Sequence, residues 1–271
     1  MHRFSLLFVI VGCVALAALL TWIALSSAQF GGRPSKAVRG APIGGESVVR
    51  EVPPFTRIDV TGSAEVTLVQ GAGESITLPA TLPRKSHVDA TVRDGTLYID
   101  ANDGLRWWDL LLGSGGRAAP VVVAFRNLDS ITTAGGVRLS AGTIKVPALR
   151  ISGAGGTQVN IDDLAADQLR VAGAGALKAE IAGKADRLHV SISGAGEYHS
   201  AHLVAQDATV TVAGAGKVLV NAQKTLKVTI SGAGSVEYVG DPEVTRSVSG
   251  AGSVRRREGP RAGIAAVAAV Q

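Results

Sequence analysis

The side chains with the most evident chemical potential in this sequence are Glu197, Tyr198, His199 and His202, a carboxylate, a phenol and two imidazoles in close succession. Carboxylate and imidazole are ligand types for zinc, but a metal site needs three or four ligands at helical or zinc-like spacing. No further ligand stands at such a spacing, so these four read as surface positions of a strand, and neither metal nor cofactor is expected. Asp162, Asp163 and Asp167 form a second acidic group. Polysaccharide lyases and hydrolases use clustered carboxylates or an arginine base in a groove, whereas turn propensity already accounts for these three aspartates. Gly-Ala-Gly triplets could be taken for phosphate-cradling loops. Such a loop, however, is a single glycine-rich turn between a strand and a helix, and this triplet occurs six times. Calcium-binding β-rolls repeat an aspartate within a nonapeptide, and no aspartate recurs here. A threonine ladder suited to ice is not expected either, because Thr209 and Thr211 have no evident counterparts in register.

Residues 103–120 offer a different chemistry. Arg106, Trp107 and Trp108 stand together there, ahead of Leu110, Leu111 and Leu112, and hold two of the chain's three tryptophans. Exposed, they would make an aromatic contact site for sugar or lipid. Beside three leucines the expected role is a lid packed over the sheet. Arg106, Trp107 and Trp108 are nevertheless the candidate interaction residues of the chain.

What must position all of these residues is a repeat. Gly-Ala-Gly starts at Gly153, Gly173, Gly194, Gly214, Gly232 and Gly250, at intervals of 20, 21, 20, 18 and 18 residues. Aligned on the first glycine, the residue two before it is Ile151, Val171, Ile192, Val212, Ile230 and Val248. Leu149, Leu169, Val190, Val210 and Val228 stand four before it, and Arg246 breaks that column in the last copy. Apolar residues two apart with polar ones between them, such as Arg170, His189 and Lys227, predict strands with one buried face. The glycines would supply positive φ at corners, the intervening alanines would point inward, and the preceding Ser or Ala would form a ladder. Similar alternation around a small-residue turn appears at residues 58–68 and 131–139, so the repeat reaches beyond its six clearest copies. Asp94-Gly95, between alternating segments, predicts a hairpin.

The remaining segments fix the expected setting. Residues 4–25 form an uncharged apolar run behind His2 and Arg3, followed by Ser26-Ser27-Ala28. Residues 1–28 therefore predict a signal peptide or, since the run is long enough to span a bilayer, a signal anchor. Residues 29–48 predict a flexible Gly/Pro-rich spacer, 49–254 the repeat domain and 255–271 a basic, disordered C-terminal tail. Arg246 and the charges of that tail would block edge pairing at the end of the stack. Cys13 is the only cysteine, which excludes an intrachain disulfide. A net charge of +5, without a broad basic face interleaved with aromatics, gives no reason to expect nucleic acid as a partner.

Residues 55–60, Phe-Thr-Arg-Ile-Asp-Val, the following 61–71, and 92–99, Val-Arg-Asp-Gly-Thr-Leu-Tyr-Ile, resemble the opening block of the DUF2807 family, the putative auto-transporter adhesin, head GIN domain. The Ser-Gly-Ala-Gly copies resemble its second half, though the Gly-Ile-Asn triplet of the family's nickname is replaced by Gly-Ala-Gly. The resemblance implies an exported bacterial protein with a right-handed parallel β-helix of roughly 20-residue coils, behind an N-terminal export or anchor helix. It supplies no catalytic residues. The expected function is that of a non-enzymatic surface or envelope scaffold, periplasmic, surface-bound or secreted, meeting a glycan, protein or envelope polymer. It would touch membrane only through residues 4–25. The alternative is a polysaccharide-active β-helix enzyme.

Overall fold

The computed structural model describes residues 47–79, 87–102 and 118–257, which are strands and short connections without a helix. In chain order the strands are β1 (Ser47–Glu51), β2 (Arg57–Gln70), β3 (Ser75–Pro79), β4 (His87–Arg93), β5 (Thr96–Asn102), β6 (Ala119–Phe125), β7 (Ser130–Gly194), β8 (Glu197–Gly214), β9 (Lys217–Gly232), β10 (Ser235–Val239), β11 (Glu243–Ser249) and β12 (Ser253–Arg256). The hydrophobic segment of residues 1–28, most of the spacer, and Arg106, Trp107 and Trp108 lie outside the described residues. Two expected boundaries shift. Ser47 and Val48, assigned to the spacer, pair with Pro79 and Leu78 in β1. Arg255 and Arg256, assigned to the tail, continue β12 opposite Glu237 and Tyr238, because the parallel register that starts at Ser253 carries them along.

Alternation of apolar and polar residues builds this all-β arrangement by giving each segment one face to bury. β2 runs parallel to β7, with Ile58 opposite Ile131 and Val66 opposite Leu139. β7 pairs in parallel with β8, β8 with β9, and β9 with β10 and β11. Along β7 to β11 a residue faces one 17 to 20 positions further on, so like positions of successive units stack. Val190, Val210 and Val228 stack this way, as do Ile192, Val212 and Ile230, and all six are at most 1 % exposed. Each such side chain contributes about 1.5–3 kcal/mol of burial. The Asp94-Gly95 turn joins β4 and β5 as an antiparallel hairpin, both residues at positive φ.

One glycine per unit sets the bend. Gly135, Gly155, Gly175, Gly194, Gly214, Gly232 and Gly250 have φ between 92° and 123°. Each lies over its predecessor; a Cβ on Gly194 would stand 2.9 Å from the Gly175 carbonyl oxygen, and one on Gly214 would stand 2.6 Å from that of Gly194. Ala195, Ala215 and Ala233 donate their backbone N–H to the carbonyls of Gly175, Gly194 and Gly214 at 3.2, 3.0 and 2.9 Å. Ile192 and Gly196 are buried while Ser193, Gly194 and Ala195 between them are exposed. The chain thus turns a corner around its apolar interior.

This column corrects two expectations. In the first two copies the corner is the last glycine of the triplet, Gly155 and Gly175; in the last four it is the first. Ile151 and Val171 therefore belong with Val190, Val210 and Val228, four residues before the corner, and not with Ile192. The position two before the corner is Gly153 and Gly173, then Ile192, Val212, Ile230 and Val248; the position two after is Thr157 and Leu177, then Gly196, Gly216, Gly234 and Gly252. The two positions share one space. A Cβ on Gly173 would lie 2.9 Å from the Leu177 Cβ, and one on Gly196 would lie 2.9 Å from Ile192 Cγ2. The central alanines do not fill this space: Ala154, Ala174, Ala195, Ala215, Ala233 and Ala251 are all exposed, since they lie on the outside of the bend.

The stack does not follow chain order at its first end. β5 pairs with the first half of β2 and β6 with the second, both in parallel, on the edge away from β7; β3 then pairs with β6, and β1 with β3, antiparallel. Ala101 faces Gly62 and Ala119 faces Ala64. The partners of β5 and β6 on β2 are thus separated by Ser63 alone.

Candidate interaction surface

Outward-pointing residues form two faces, one on each side of the corner column. After the corner, the third residue is Glu65, Arg138, Gln158, Lys178, Glu197, Lys217, Ser235 and Ser253, so no two adjacent units carry the same charge there; Glu65 faces Arg138, and Lys178, Glu197 and Lys217 follow one another in register. Arg138 Nε donates to Gln158 Oε1 at 3.4 Å, and Lys178 Nζ lies 3.9 Å from Glu180 Oε1. This face neutralises itself, although ion pairs this exposed add little stability.

Before the corner the pattern differs. The fifth residue back is Arg57, Ser130, Arg150, Arg170, His189, Thr209, Lys227 and Thr245, of which every Arg, His and Lys is exposed. Direct registration joins Arg57 to Ser130, and His189 through Thr209 and Lys227 to Thr245. The third residue back carries hydroxyls: Ser191, Thr211, Thr229 and Ser247 stand in one ladder. Thr211 therefore does recur in register, contrary to the sequence reading, because it faces Thr229 within a column of serine and threonine hydroxyls. The residue next to the corner is small, as in Ser193, Ala213, Ser231 and Ser249.

The four residues first considered as ligands are separated by the strand's alternation. Glu197, His199 and His202 are exposed, but Tyr198 is fully buried, correcting its expected surface position. Its hydroxyl has no hydrogen-bond partner of good geometry, and nearby Ser200 Oγ donates to the Leu219 carbonyl at 3.1 Å. Burial pushes the phenol's pKa well above its ordinary 10.0, while Ser200 opposes that shift. Asp162 is also raised, by desolvation. No group of three His, Cys, Asp or Glu side chains among the described residues could hold a metal. A shallow depression of about 440 Å³ is lined by Lys145, Pro147, Asp167, Lys184 and Asp186, charges of both signs without a convergent polar group.

Parallel units stacked on a glycine column, with ordered ladders outside and an apolar interior, define an all-β repeat protein. The chain belongs to the family described as putative auto-transporter adhesin, head GIN domain (DUF2807), whose model matches residues 54–242. No curated protein matches it. Similar solved structures include a putative adhesin from Bacteroides fragilis, at 20% identity and TM-score 0.67, covering 84% of this chain and 100% of that one. A putative lipid binding protein from Parabacteroides distasonis is 21% identical with TM-score 0.60, covering 79% and 97%. A putative adhesin from Parabacteroides merdae is 18% identical with TM-score 0.55, covering 78% and 95%. These likenesses concern the fold.

Proposed function

We propose that this chain is an exported bacterial surface or envelope protein, a non-enzymatic right-handed parallel β-helix used for adhesion or structural interaction. The observation that carries this reading is the disposition of the polar side chains. They stand in ladders along an apolar stack, as a scaffold requires, and catalysis would need them to converge on a water-excluding cleft. Family membership and the adhesin names of similar structures support the same reading. Export would depend on residues 1–28, cleaved or retained as an anchor, with residues 29–48 as spacer and 49–254 as the adhesive domain.

Fractionation of expressing cells, with mass spectrometry of the N-terminus, tests the address. Recovery in a surface, periplasmic or secreted fraction is expected, and recovery in the cytosol would overturn it. Binding of the full chain to glycan, peptidoglycan and matrix-protein arrays tests the activity. A saturable partner is expected; turnover of a polysaccharide would replace the scaffold reading with an enzymatic one.

A further inference from the structure

We propose that the face preceding the corner glycines binds a linear acidic polysaccharide. Arg150, Arg170 and Lys227 receive its carboxylates, and the ladder Ser191, Thr211 and Thr229 receives its hydroxyls. This inference rests on the scaffold reading and names its ligand class.

Charge is the first argument. Arg150 and Arg170 hold the same place in consecutive units, followed by His189, so their backbones are about 4.8 Å apart. Like charges directly opposite across strands are destabilising, and the other face of the same stack places none in adjacent units at its third position, opposite charges or an uncharged residue standing between. No carboxylate among the described residues forms an ion pair with Arg150, Arg170 or Lys227. Acids flank the row without pairing with it: Asp129, whose carbonyl accepts the Arg150 N–H at 2.9 Å, precedes Ser130, Asp59 lies two residues beyond Arg57, and Asp167, Asp186, Asp207 and Glu243 lie two or three residues before Arg170, His189, Thr209 and Thr245. A row of anions supplied by a ligand offsets the repulsion.

Shape and hydrogen bonding give the second. Beside the basic column runs a strip of Ser, Thr and Ala with no long side chain, flat enough for a ribbon-like polymer. Tyr98, 44 % exposed, stands opposite Asp59, which faces Thr132 on its other side; Ser152 and Ala172 hold the same place in the units between Thr132 and Ser191. The Tyr98 ring offers an apolar plane with a polar tip, which suits the C–H face of a sugar. A membrane surface would call for several large apolar side chains on this face, and single-stranded nucleic acid for a succession of aromatics. Tyr98 is the one large exposed hydrophobic residue on the strip among those described.

The full chain, held in detergent micelles, is titrated with polygalacturonate, with neutral dextran, and with phosphatidylcholine vesicles with and without phosphatidylglycerol. Saturable, salt-sensitive binding to polygalacturonate is expected. Arg150→Gln with Arg170→Gln should weaken it at least tenfold and Tyr98→Ala several-fold, while Arg138→Gln with Lys178→Gln, removing equal charge from the other face, should change it less than twofold. Equal loss in the two double variants, or tighter binding to anionic vesicles than to polygalacturonate, overturns the assignment. Dextran binding that ignores Arg150 and Arg170 overturns the acidic class and leaves the scaffold reading standing. Failure to bind any polymer, array or cell removes both. The Tm of the Arg150→Gln, Arg170→Gln variant should equal or exceed that of the wild type; a lower Tm would overturn the like-charge argument.

Discussion

Gly194 and Ala195 are adjacent and both small, but for different reasons. Gly194 combines φ of 119° with the Gly175 carbonyl oxygen 2.9 Å from where a Cβ would sit. Ala195 is exposed and contributes chiefly its N–H, bonded to that same carbonyl. Gly194→Ala is therefore expected to cost about 2–3 kcal/mol through backbone strain and local displacement, and Ala195→Ser less than about 0.5 kcal/mol; urea denaturation checks both. Tyr198 gives a prediction of opposite sign. Its buried hydroxyl lacks a partner, so Tyr198→Phe should raise stability by about 1 kcal/mol. The unfolded phenol ionises near its ordinary 10.0, whereas the folded phenol stays protonated to higher pH. Above about pH 10 the folded state thus binds more protons than the unfolded one, and stability falls as pH rises. In Tyr198→Phe this part of the alkaline decline should vanish from Tm measured between about pH 9 and 11.

Across each later corner one side chain and one glycine share a space, and the two kinds of unit differ in which comes first. Gly173 with Leu177 and Ile192 with Gly196 are alternative solutions to the same packing problem. Ile192→Ala should cost about 2–5 kcal/mol. Ile192→Gly and Gly196→Leu should each destabilise, the first by a cavity and the second by overpacking. The double variant, which converts this unit to the other kind, should lose at least about 1 kcal/mol less than the sum of the single changes. A double-mutant cycle by urea denaturation measures the coupling, and strict additivity would show that the two positions do not share their space. The sequence made strand type, inward parity and repeat length legible, because one-residue slips would expose the apolar face. The corner register was not legible. Gly-Ala-Gly reads the same in both directions, and a shift of two residues leaves Ile151, Val171 and Ile192 on the same inward face. Only contact between units distinguishes Gly155 from Gly153. The basic row was hidden for the same reason, since Arg150, Arg170 and His189 line up only when counted from the true corner. The fully buried place of Tyr198 followed from parity alone and was obscured by the polar residues around it.

At the scale of the molecule the two ends of the stack are unlike. The first is covered by β5, β6 and the antiparallel strands β1 and β3, laid on β2 out of chain order. At the other, β11 pairs with β9 and β12 with β10, and each has that single neighbour among the described residues. Val248 there is 41 % exposed, although its counterparts Ile192, Val212 and Ile230 are buried. Such an edge pairs readily with another chain unless something opposes it. Arg246 provides that opposition: it occupies the place of Val190, Val210 and Val228 in the apolar column and is exposed. Another chain added over β11 would have to bury its guanidinium without a partner, at a cost of several kcal/mol. Arg246→Val removes that cost and extends the apolar column to the edge. Sedimentation velocity should therefore show self-association at lower protein concentration for Arg246→Val than for the wild type. Arg246→Lys, which keeps a charge at the same position, should sediment as the wild type does. Association that is equal in all three proteins would mean that Arg246 does not guard this end.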